Sequence, residues 1–287
     1  MRYGATRTIK YLLGTDIAGR HLAVFPDDTF IVSYPRSGNT WTRFLIANLL
    51  HPDEAATFAN IERWIPDAEA QSSRYMKSIA HPRFIKSHEY FDHRYKKVIY
   101  IVRDPRDIAV SYYHFQRKYR HISDDYGLER YVDEFVAGRP DSADWGTWGE
   151  NVGSWLGARE GHSGFLLLKY EDMTEDTVRE LAKVARFFGI EANRGLLEQA
   201  VERSSAARMR ELEKLQGAEW ISTKDKRPDI PFVRGAEAGG WKRQLHPRSV
   251  ARIESAWATL MTRLGYSLSN SPVIREDDVL TAEPSQI

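Results

Sequence analysis

The stretch "FIVSYPRSGNTWTRFLIANLL", residues 30–50, joins a short apolar run to an amphipathic one. The run is rich in residues that favour β-structure, and Pro35 cannot extend a strand ladder, so the pattern predicts a strand over residues 29–34. From Trp41 onward the apolar residues recur at helical spacing, which predicts a helix over residues 39–50. The sequence therefore predicts a buried strand, a tight bend and a helix in close succession.

The bend between strand and helix concentrates groups that bind anions. Gly38 permits a tight turn, and the first N–H groups of the new helix point into the bend beside the side chains of Arg36, Ser37, Asn39 and Thr40. Aligned peptide dipoles, free N–H donors and a guanidinium suit a phosphate or sulfate oxygen. An ordinary polar turn with a surface arginine explains the same residues equally well.

Size and composition limit the classes of protein. The chain has 287 residues, of which 42% are hydrophobic, enough for one large core, and we expect a single domain over residues 1–287. Its core is expected over about residues 25–265, and the polar end over about residues 267–287 is expected to be loose.

Charge and cysteine content exclude several functions. The formal net charge is +1, which gives no sign of wholesale binding to nucleic acid. The chain has no cysteine, so thiolate metal sites, disulfides and cysteine nucleophiles are excluded. No stretch approaches the roughly 20 apolar residues of a membrane-spanning helix, so no integral membrane segment and a cytoplasmic location are expected.

Strand and helix patterns alternate along the chain. Further strands are predicted over residues 83–87, 97–102 and 165–170, and further helices over residues 105–119, 128–136, 145–159, 174–188 and 247–264. Alternation of this kind favours an α/β fold with a central parallel sheet flanked by helices, in which ligands bind at the carboxyl ends of the strands. The bend after the first strand lies at such an end.

A second cluster follows the third strand, in "KKVIYIVRDPRDIAVSYYHF", residues 96–115. The strand ends at Arg103, Asp104 is a good N-cap, and Asp107 stands where a capping-box acid is found. Ser111 lies two turns into the helix. By itself this cluster is better explained by Arg103 pairing with Asp104 or Asp107, with Ser111 as an ordinary surface hydroxyl.

A third cluster ends the second strand, in "RFIKSHEYF", residues 83–91. Lys86 and His88 reach the same sheet edge as the first two clusters, and they combine a fixed cation with a proton acceptor. A lone histidine is more often structural, but a transfer to a hydroxyl requires both of these groups.

Several motifs together resemble one known family. The segments "YPRSGNTW", "KSH", "VRDPRDIAVSYYHF", "YEDM" and "GGWK" occur in the order and approximate spacing of the sulfotransferases that use 3′-phosphoadenosine 5′-phosphosulfate (PAPS), the cytosolic type with many bacterial relatives. The resemblance spans about residues 29–245, most of the chain.

The resemblance implies a P-loop-like nucleotide-binding architecture, PAPS as cosubstrate, 3′-phosphoadenosine 5′-phosphate (PAP) as product, and no metal. The donor-binding residues that it implies are Arg36, Ser37, Gly38, Asn39, Thr40, Trp41, Arg103, Ser111, Tyr170, Ser204, Arg234 and Gly235. For catalysis it implies His88 as general base, with Lys86 and Arg36 stabilising charge on the transferring group and on the leaving phosphate.

The sequence departs from the family pattern at several positions. Arg36 replaces the usual lysine of the first motif, Ala206 stands where relatives often carry an aromatic residue over the adenine, and the loop at Arg234 lacks one of two usual cations. The dimerisation pattern that some relatives show after the Trp-Lys pair is absent, so that dimer is not expected, although another oligomer is possible.

The acceptor is expected to be a small molecule with a hydroxyl group. The variable loops expected around it, at about residues 58–75, 91–95, 115–126 and 216–233, are rich in aromatic residues. They include Trp64, Tyr90, Phe91 and Tyr119, which favours an apolar or aromatic alcohol over a polyanionic glycan. Steroids, phenols, lipids, natural products and sugars all stay open. The segment 216–235, "QGAEWISTKDKRPDIPFVRG", is rich in turn formers and charges and suits a mobile lid.

Two other functions compete with this hypothesis. One is a nucleotide-binding scaffold that kept the anion cradle but lost the chemistry. The other is a P-loop kinase, although the sequence has no G-x-x-x-x-G-K-[ST] motif.

Trp145, Trp148 and Trp155 are interpreted as core residues because their spacing is helical.

Overall fold

The computed structural model describes residues 13–139 and 145–269. Their central feature is a parallel sheet with the strand order β2-β1-β3-β4. Its strands are β1 (Thr29–Ser33), β2 (Phe84–Ser87), β3 (Lys97–Val102) and β4 (Phe165–Lys169). The predicted fold class is confirmed, and each predicted strand is found with an end that moves by at most one residue.

Helices surround this sheet. They are α1 (Asn39–Leu50), α2 (Ile61–Trp64), α3 (Ser73–Ser78), α4 (Pro105–Lys118), α5 (Leu128–Val136), α6 (Trp148–Arg159), α7 (Tyr170–Glu175), α8 (Thr177–Phe188), α9 (Arg194–Arg203), α10 (Ala206–Gln216) and α11 (Pro247–Arg263). Short 3₁₀ turns lie at Gly19–His21 and Gly240–Arg243.

Two predicted helices have boundaries that are wrong by more than one residue, and other helices were not predicted. The segment 174–188 is not one helix, because Asp176 leaves helical geometry and caps α8 by accepting a hydrogen bond from the Arg179 N–H. The helices α9 and α10 were not predicted; only the C-cap of α9, Ser204, and the N-cap of α10, Ser205, separate them. The predicted helix over 145–159 begins three residues later, at Trp148, directly after its cap Thr147.

Successive residues of the strands pack into two separate hydrophobic cores, one on each face of the sheet. Phe30 and Val32 belong to a cluster that includes residues of α4, α5, α6 and α11, whereas Ile31 belongs to a cluster that includes residues of α1, α8, α9 and α10. Both faces of the sheet are therefore covered, as an all-parallel sheet requires. This explains why the strands are continuous apolar runs rather than alternating ones.

The chain reverses its direction of strand addition at β1. It adds β2 on one side of β1 and then crosses over to add β3 on the other side. In open parallel sheets the crevice at such a reversal, outside the carboxyl ends of the strands, is where ligands bind. Within residues 13–139 and 145–269, no helix is long and apolar enough to cross a membrane. The predicted loose end begins at the last described residues and otherwise falls outside them.

Candidate functional site

A cavity of about 500 Å³ opens at the carboxyl ends of the strands. Its volume lies in the range of roughly 300–1,000 Å³ that is typical of ligand pockets. The residues proposed from the sequence that line it are Arg36, Gly38, Asn39, Thr40, Trp41, Lys86, His88, Arg103, Ser111, Tyr170, Arg234 and Gly235. Segments that are distant in the sequence thus meet around one space.

The bend after β1 forms one wall of this cavity. Gly38 has φ 98°, and a β-carbon there would come within 2.6 Å of the Tyr170 ring, so both backbone conformation and space require glycine. Helix α1 begins at Asn39, and no side chain caps it. Its first N–H groups are therefore available to a ligand, next to the side chain of Thr40 and the ring of Trp41, which lies edge-on to Tyr170.

Arg36 crosses the cavity from this bend. Its φ is 69°, its Nε donates to the Ser111 hydroxyl over 3.2 Å, and its Nη2 donates to the Phe232 carbonyl over 3.3 Å. The guanidinium lies 5.0 Å from the ring centre of Phe115 and 4.7 Å from that of Phe232. Burial lowers the pKa of Arg36 to about 10, so the group is still a cation at neutral pH, in a place where an anion would stabilise it.

Arg103 stands directly behind Arg36. Its Nη1 donates to the Arg36 carbonyl (3.3 Å), its Nη2 donates to the Glu237 carbonyl (3.0 Å), and its guanidinium lies 4.0 Å from the ring centre of Tyr170. Its Nε is buried and has no hydrogen-bond partner among the described residues. The bend that carries Arg36 and the strand end that carries Arg103, called the two arginine-bearing corners, are thus contiguous. Within the described part of the chain, neither arginine donates to a carboxylate.

The start of α4 holds the loop that closes this end. Asp104 caps the helix as predicted, and it pairs with Arg106 rather than with Arg103. The predicted capping-box role of Asp107 is wrong, because its carboxylate accepts hydrogen bonds from the N–H groups of Gly239 (2.7 Å) and Trp241 (2.8 Å). Sequence spacing did not reveal this contact, which joins residues 132 positions apart.

His88 has a defined tautomer. Its Nδ1 lies 2.7 Å from the Ser33 carbonyl, and since a carbonyl only accepts, Nδ1 carries the proton and Nε2 is the free acceptor. Asn39 donates to the Ser33 hydroxyl (3.2 Å) and so connects the bend to this histidine. Burial, and next the charge of Lys86, lower the pKa of His88 to about 3, so the ring is neutral at physiological pH.

Lys86 is bound by two carboxylates. Its Nζ donates to Asp67 Oδ1 (3.0 Å) and to Glu69 Oε2 (2.8 Å), and all three side chains are mostly buried. Burial works to lower the pKa of Lys86, but the two carboxylates outweigh it and raise that pKa. Burial raises the pKa of Asp67, whereas the pKa of Glu69 is lowered because Lys86 and hydrogen bonds outweigh burial.

The two carboxylates come from a segment that sequence reasoning placed only in a variable loop. Residues 66–68 pair with the edge of β2, where the Ala68 N–H donates to the Lys86 carbonyl and the Lys86 N–H donates to the Pro66 carbonyl. Glu69 then accepts from the His88 N–H (2.7 Å) and the Ser87 hydroxyl (3.0 Å). No local motif signals a pairing of this kind.

Two residues implied by the resemblance do not line the cavity. Ser37 is fully buried and its hydroxyl has no partner among the described residues. Ser204 is also fully buried, and its hydroxyl accepts from Asn48 (2.9 Å) instead. The next residue, Ser205, lines the cavity and caps α10. These placements give no support to a donor contact through either buried hydroxyl.

Aromatic side chains line the remaining wall, near His88. Trp145 was interpreted from the sequence as core, but it lines the cavity, with its ring centre 5.8 Å from that of His88. Other aromatic residues that line the cavity are Tyr112, Phe115, Tyr119, Trp220 and Phe232, of which Phe115 and Phe232 lie against Arg36. Of the acceptor-loop aromatics proposed from the sequence, Tyr119 lines the cavity, whereas Trp64, Tyr90 and Phe91 do not.

Among residues 13–139 and 145–269, one group has the spacing of a metal site, and it lies outside this cavity. Ligand atoms of Asp27, Asp28 and His81 lie within 4.8 Å of one another. Arg83 occupies both carboxylate oxygens of Asp28, with donor distances of 2.8 and 2.6 Å. This ion pair already uses the buried ligand atoms of the group.

Comparison with known proteins agrees with the resemblance seen in the sequence. A family model described as "Sulfotransferase domain" matches residues 26–265. Sulfotransferase 1B1 of Canis lupus familiaris is 28% identical over 233 residues, which cover 76% of this chain and 77% of that protein. The 3-beta-hydroxysteroid sulfotransferase of Cavia porcellus is 29% identical over 239 residues, covering 79% and 80%.

A solved structure shares the fold. Retinol dehydratase, in a complex with retinol and PAP, superimposes with a TM-score of 0.70 at 19% identity, over 91% of this chain and 88% of that one. At this identity the likeness shows the fold alone.

Proposed function

The chain belongs to the sulfotransferase domain family and is a sulfotransferase, and from that premise we propose that it uses PAPS as donor and a small-molecule hydroxyl as acceptor. The observation that carries the proposal is the contact between the two arginine-bearing corners, with Arg36 Nε 3.2 Å from Ser111 Oγ. One nucleotide with phosphates at its 3′ and 5′ positions can reach both corners at once.

The residues at these corners fit such a donor. The uncapped N-terminus of α1, together with Thr40 and Arg36, suits the 5′-phosphosulfate. Arg103, whose buried Nε has no hydrogen-bond partner in the described ranges, and Ser111 suit the 3′-phosphate, and Arg234 with Gly235 closes over it. Trp41 and Tyr170 border the adenine region.

The reaction is an in-line displacement at sulfur. The acceptor oxygen forms a bond to sulfur while the bond between sulfur and the 5′-phosphate oxygen breaks, and the acceptor proton moves to His88 Nε2. PAP leaves with the electron pair of the broken bond. Because the departing oxygen gains charge, catalysis depends mainly on positioning and on cations near that oxygen.

Arg36 is the cation best placed to stabilise that charge. Its hydrogen-bond partners among the described residues are a hydroxyl and a carbonyl, so no carboxylate among them offsets its charge. Lys86 contributes less, because Asp67 and Glu69 share its charge. A sulfuryl group carries less charge than a phosphoryl group, so the proposed reaction needs no metal.

The acceptor is proposed to be an apolar or aromatic alcohol. The support is the aromatic lining of the cavity, with Trp145 beside His88 and Tyr119 elsewhere in the lining. The names of two relatives refer to compatible compounds, a 3-beta-hydroxysteroid and retinol. The oligomeric state, the cytoplasmic location and the extent of the domain stay predictions.

The test is a transfer assay with PAPS and a panel of phenols, steroids and aliphatic alcohols, in the presence of EDTA. We expect a sulfate ester and an equal amount of PAP by mass spectrometry. His88→Ala is expected to lower kcat by about 10²- to 10⁴-fold, the usual contribution of a general base. PAP affinity should change little. Tight PAP binding without transfer to any acceptor would contradict the proposal and favour a nucleotide-binding scaffold.

A further inference from the structure

The segment 216–235, called the lid segment, is attached to the body of the protein by two buried side chains of opposite charge. Lys118, the last residue of α4, is 6% exposed, and Glu213 of α10 is 13% exposed. Their charged atoms lie 3.6 Å apart, beyond hydrogen-bond distance. Each of them uses its hydrogen bonds on the backbone of the lid segment instead.

Lys118 holds the middle of the lid segment. Its Nζ donates to the carbonyls of Arg227 (3.0 Å) and Ile230 (2.6 Å), and its own carbonyl accepts from the Arg227 N–H (3.1 Å). These bonds attach the lid segment to α4, the helix that also carries Ser111.

Glu213 holds the end of the lid segment. Its carboxylate accepts from the N–H groups of Phe232 (2.5 Å) and Val233 (2.9 Å). One turn earlier on α10, Arg210 donates to the carbonyls of Arg234 (2.7 Å) and Gly235 (3.2 Å). The backbone of residues 232–235 is therefore attached residue by residue to one face of α10.

The residues held in this way are the ones that touch the donor site. The Phe232 carbonyl accepts from Arg36, and the Phe232 ring lies under the same guanidinium. Arg234 lines the cavity beside it. A shift of the 232–235 backbone would move one partner of Arg36 and the side chain of Arg234 together.

We propose that Lys118 and Glu213 are positioning residues for the donor site, which act by clamping the lid segment so that Phe232 and Arg234 stand against Arg36. The inference rests on the proposed function, since it assigns these residues to the binding of PAPS. Both side chains are mostly buried and bind backbone groups, so their removal takes a hydrogen-bond partner from partly buried N–H and carbonyl groups. The lid segment then loosens while the sheet and its strand ends are unchanged.

The experiment compares Glu213→Ala and Lys118→Met with Glu211→Ala. Glu211 lies on the same helix, but it is exposed and pairs with Arg208, so it is a matched control. Both clamp variants are expected to raise the Kd for PAP, measured by calorimetry, about tenfold, the loss of one to two hydrogen bonds. They should raise KM for PAPS similarly while kcat at saturating PAPS changes less than about threefold, and Glu213→Gln, which keeps an acceptor oxygen, should recover part of the affinity.

Limited trypsin digestion of the nucleotide-free proteins gives an independent measurement. Cleavage after Lys224 and Lys226 in the lid segment should be faster in both clamp variants than in wild type and in Glu211→Ala. Wild-type PAP affinity and wild-type cleavage in both clamp variants would overturn the inference. A wild-type protein that binds no PAP would overturn the proposed function instead, and the digestion would still test whether the clamp holds the lid segment.

Discussion

The donor end of the cavity contains two partly buried arginines and the acceptor end contains one buried lysine, but the partners of these cations differ. At the donor end Arg36 and Arg103 donate to neutral groups, namely a hydroxyl and three carbonyls. At the acceptor end Lys86 donates to the carboxylates of Asp67 and Glu69. The structure therefore separates cations that have no carboxylate partner among the described residues from a cation that is paired with two carboxylates.

This difference shows which cations can bind an anionic donor. A carbonyl stabilises a guanidinium with a dipole only, so a phosphate or sulfate that replaces it gains the full attraction. A phosphate beside Lys86 would instead have to compete with two carboxylates that already surround it. We therefore expect substitution of the donor-end arginines to impair donor binding and catalysis. Substitution of Lys86 at the acceptor end is expected mainly to lower stability.

The largest effect is expected for Arg36→Met, which removes a cation with an uncancelled charge from the leaving group. Loss of one electrostatic stabiliser of a transition state costs about 10²- to 10³-fold in kcat. Because ground-state donor binding also weakens, kcat/KM for PAPS should fall by about 10³-fold or more. Arg252→Met, an exposed arginine on α11 that pairs with Asp133 outside the cavity, is the control. A fall of less than tenfold in kcat/KM would contradict the assignment of Arg36 to the leaving group.

Lys86→Met is expected to act first on stability. It leaves two carboxylates buried without their cation, and breaking a buried pair in this way costs about 3–5 kcal/mol. The midpoint of urea unfolding should fall accordingly, while PAP affinity should change less than about threefold. Adding Asp67→Asn to Lys86→Met should recover part of the stability, since it removes one of the unpaired charges. A stable variant with much weaker PAP binding would show that Lys86 acts on the donor.

Arg103→Met is expected to weaken donor binding with little effect on the chemical step. Hydrogen bonds to charged groups contribute about 1.5–3 kcal/mol, so the Kd for PAP should rise about 10- to 100-fold. Calorimetry with adenosine 5′-phosphosulfate, which lacks the 3′-phosphate, serves as the comparison, because this variant should bind that compound as wild type does. An equal loss for both ligands would place Arg103 away from the 3′-phosphate.

The smallest effect is expected in the pH profile. Burial lowers the pKa of His88 to about 3, and the base must be neutral to accept a proton, so protonation removes activity only as the pH falls toward that value. At saturating PAPS, kcat/KM for the acceptor should therefore stay flat through pH 6.5, the ordinary value for histidine. An acid limb centred near 6.5 in wild type would mean that the bound donor restores an ordinary pKa to His88.

Local sequence patterns located the parts of the site that depend on neighbouring residues. The strand, the glycine-dependent bend and the start of α1 all lie within residues 29–50, so spacing alone could predict them. The positions of His88 and Arg103 at strand ends followed in the same way, because parallel strands end at one edge of the sheet.

Long-range contacts were not predictable from such patterns. Asp67 reaches Lys86 only because residues 66–68 pair with the edge of β2, and Glu213 reaches Phe232 only because the lid segment folds back on α10. Trp145 has the same helical spacing as core tryptophans, and its place in the cavity wall depends on where the helices pack. Whether Ser204 or Ser205 lines the cavity likewise depends on the direction in which the turn between α9 and α10 faces.

The sequence by itself determined the parallel α/β fold, the anion-binding bend and the residues that end the strands, since each depends on side chains only a few positions apart. Only the tertiary structure decided which cations are paired with carboxylates and which stay available to an anionic ligand, because those partners are brought beside the cation by the fold. Arg36 and Lys86 are both cations at neighbouring strand ends. They differ in their partners, which are the Phe232 carbonyl for Arg36 and the carboxylates of Asp67 and Glu69 for Lys86. These partners come from other segments of the chain.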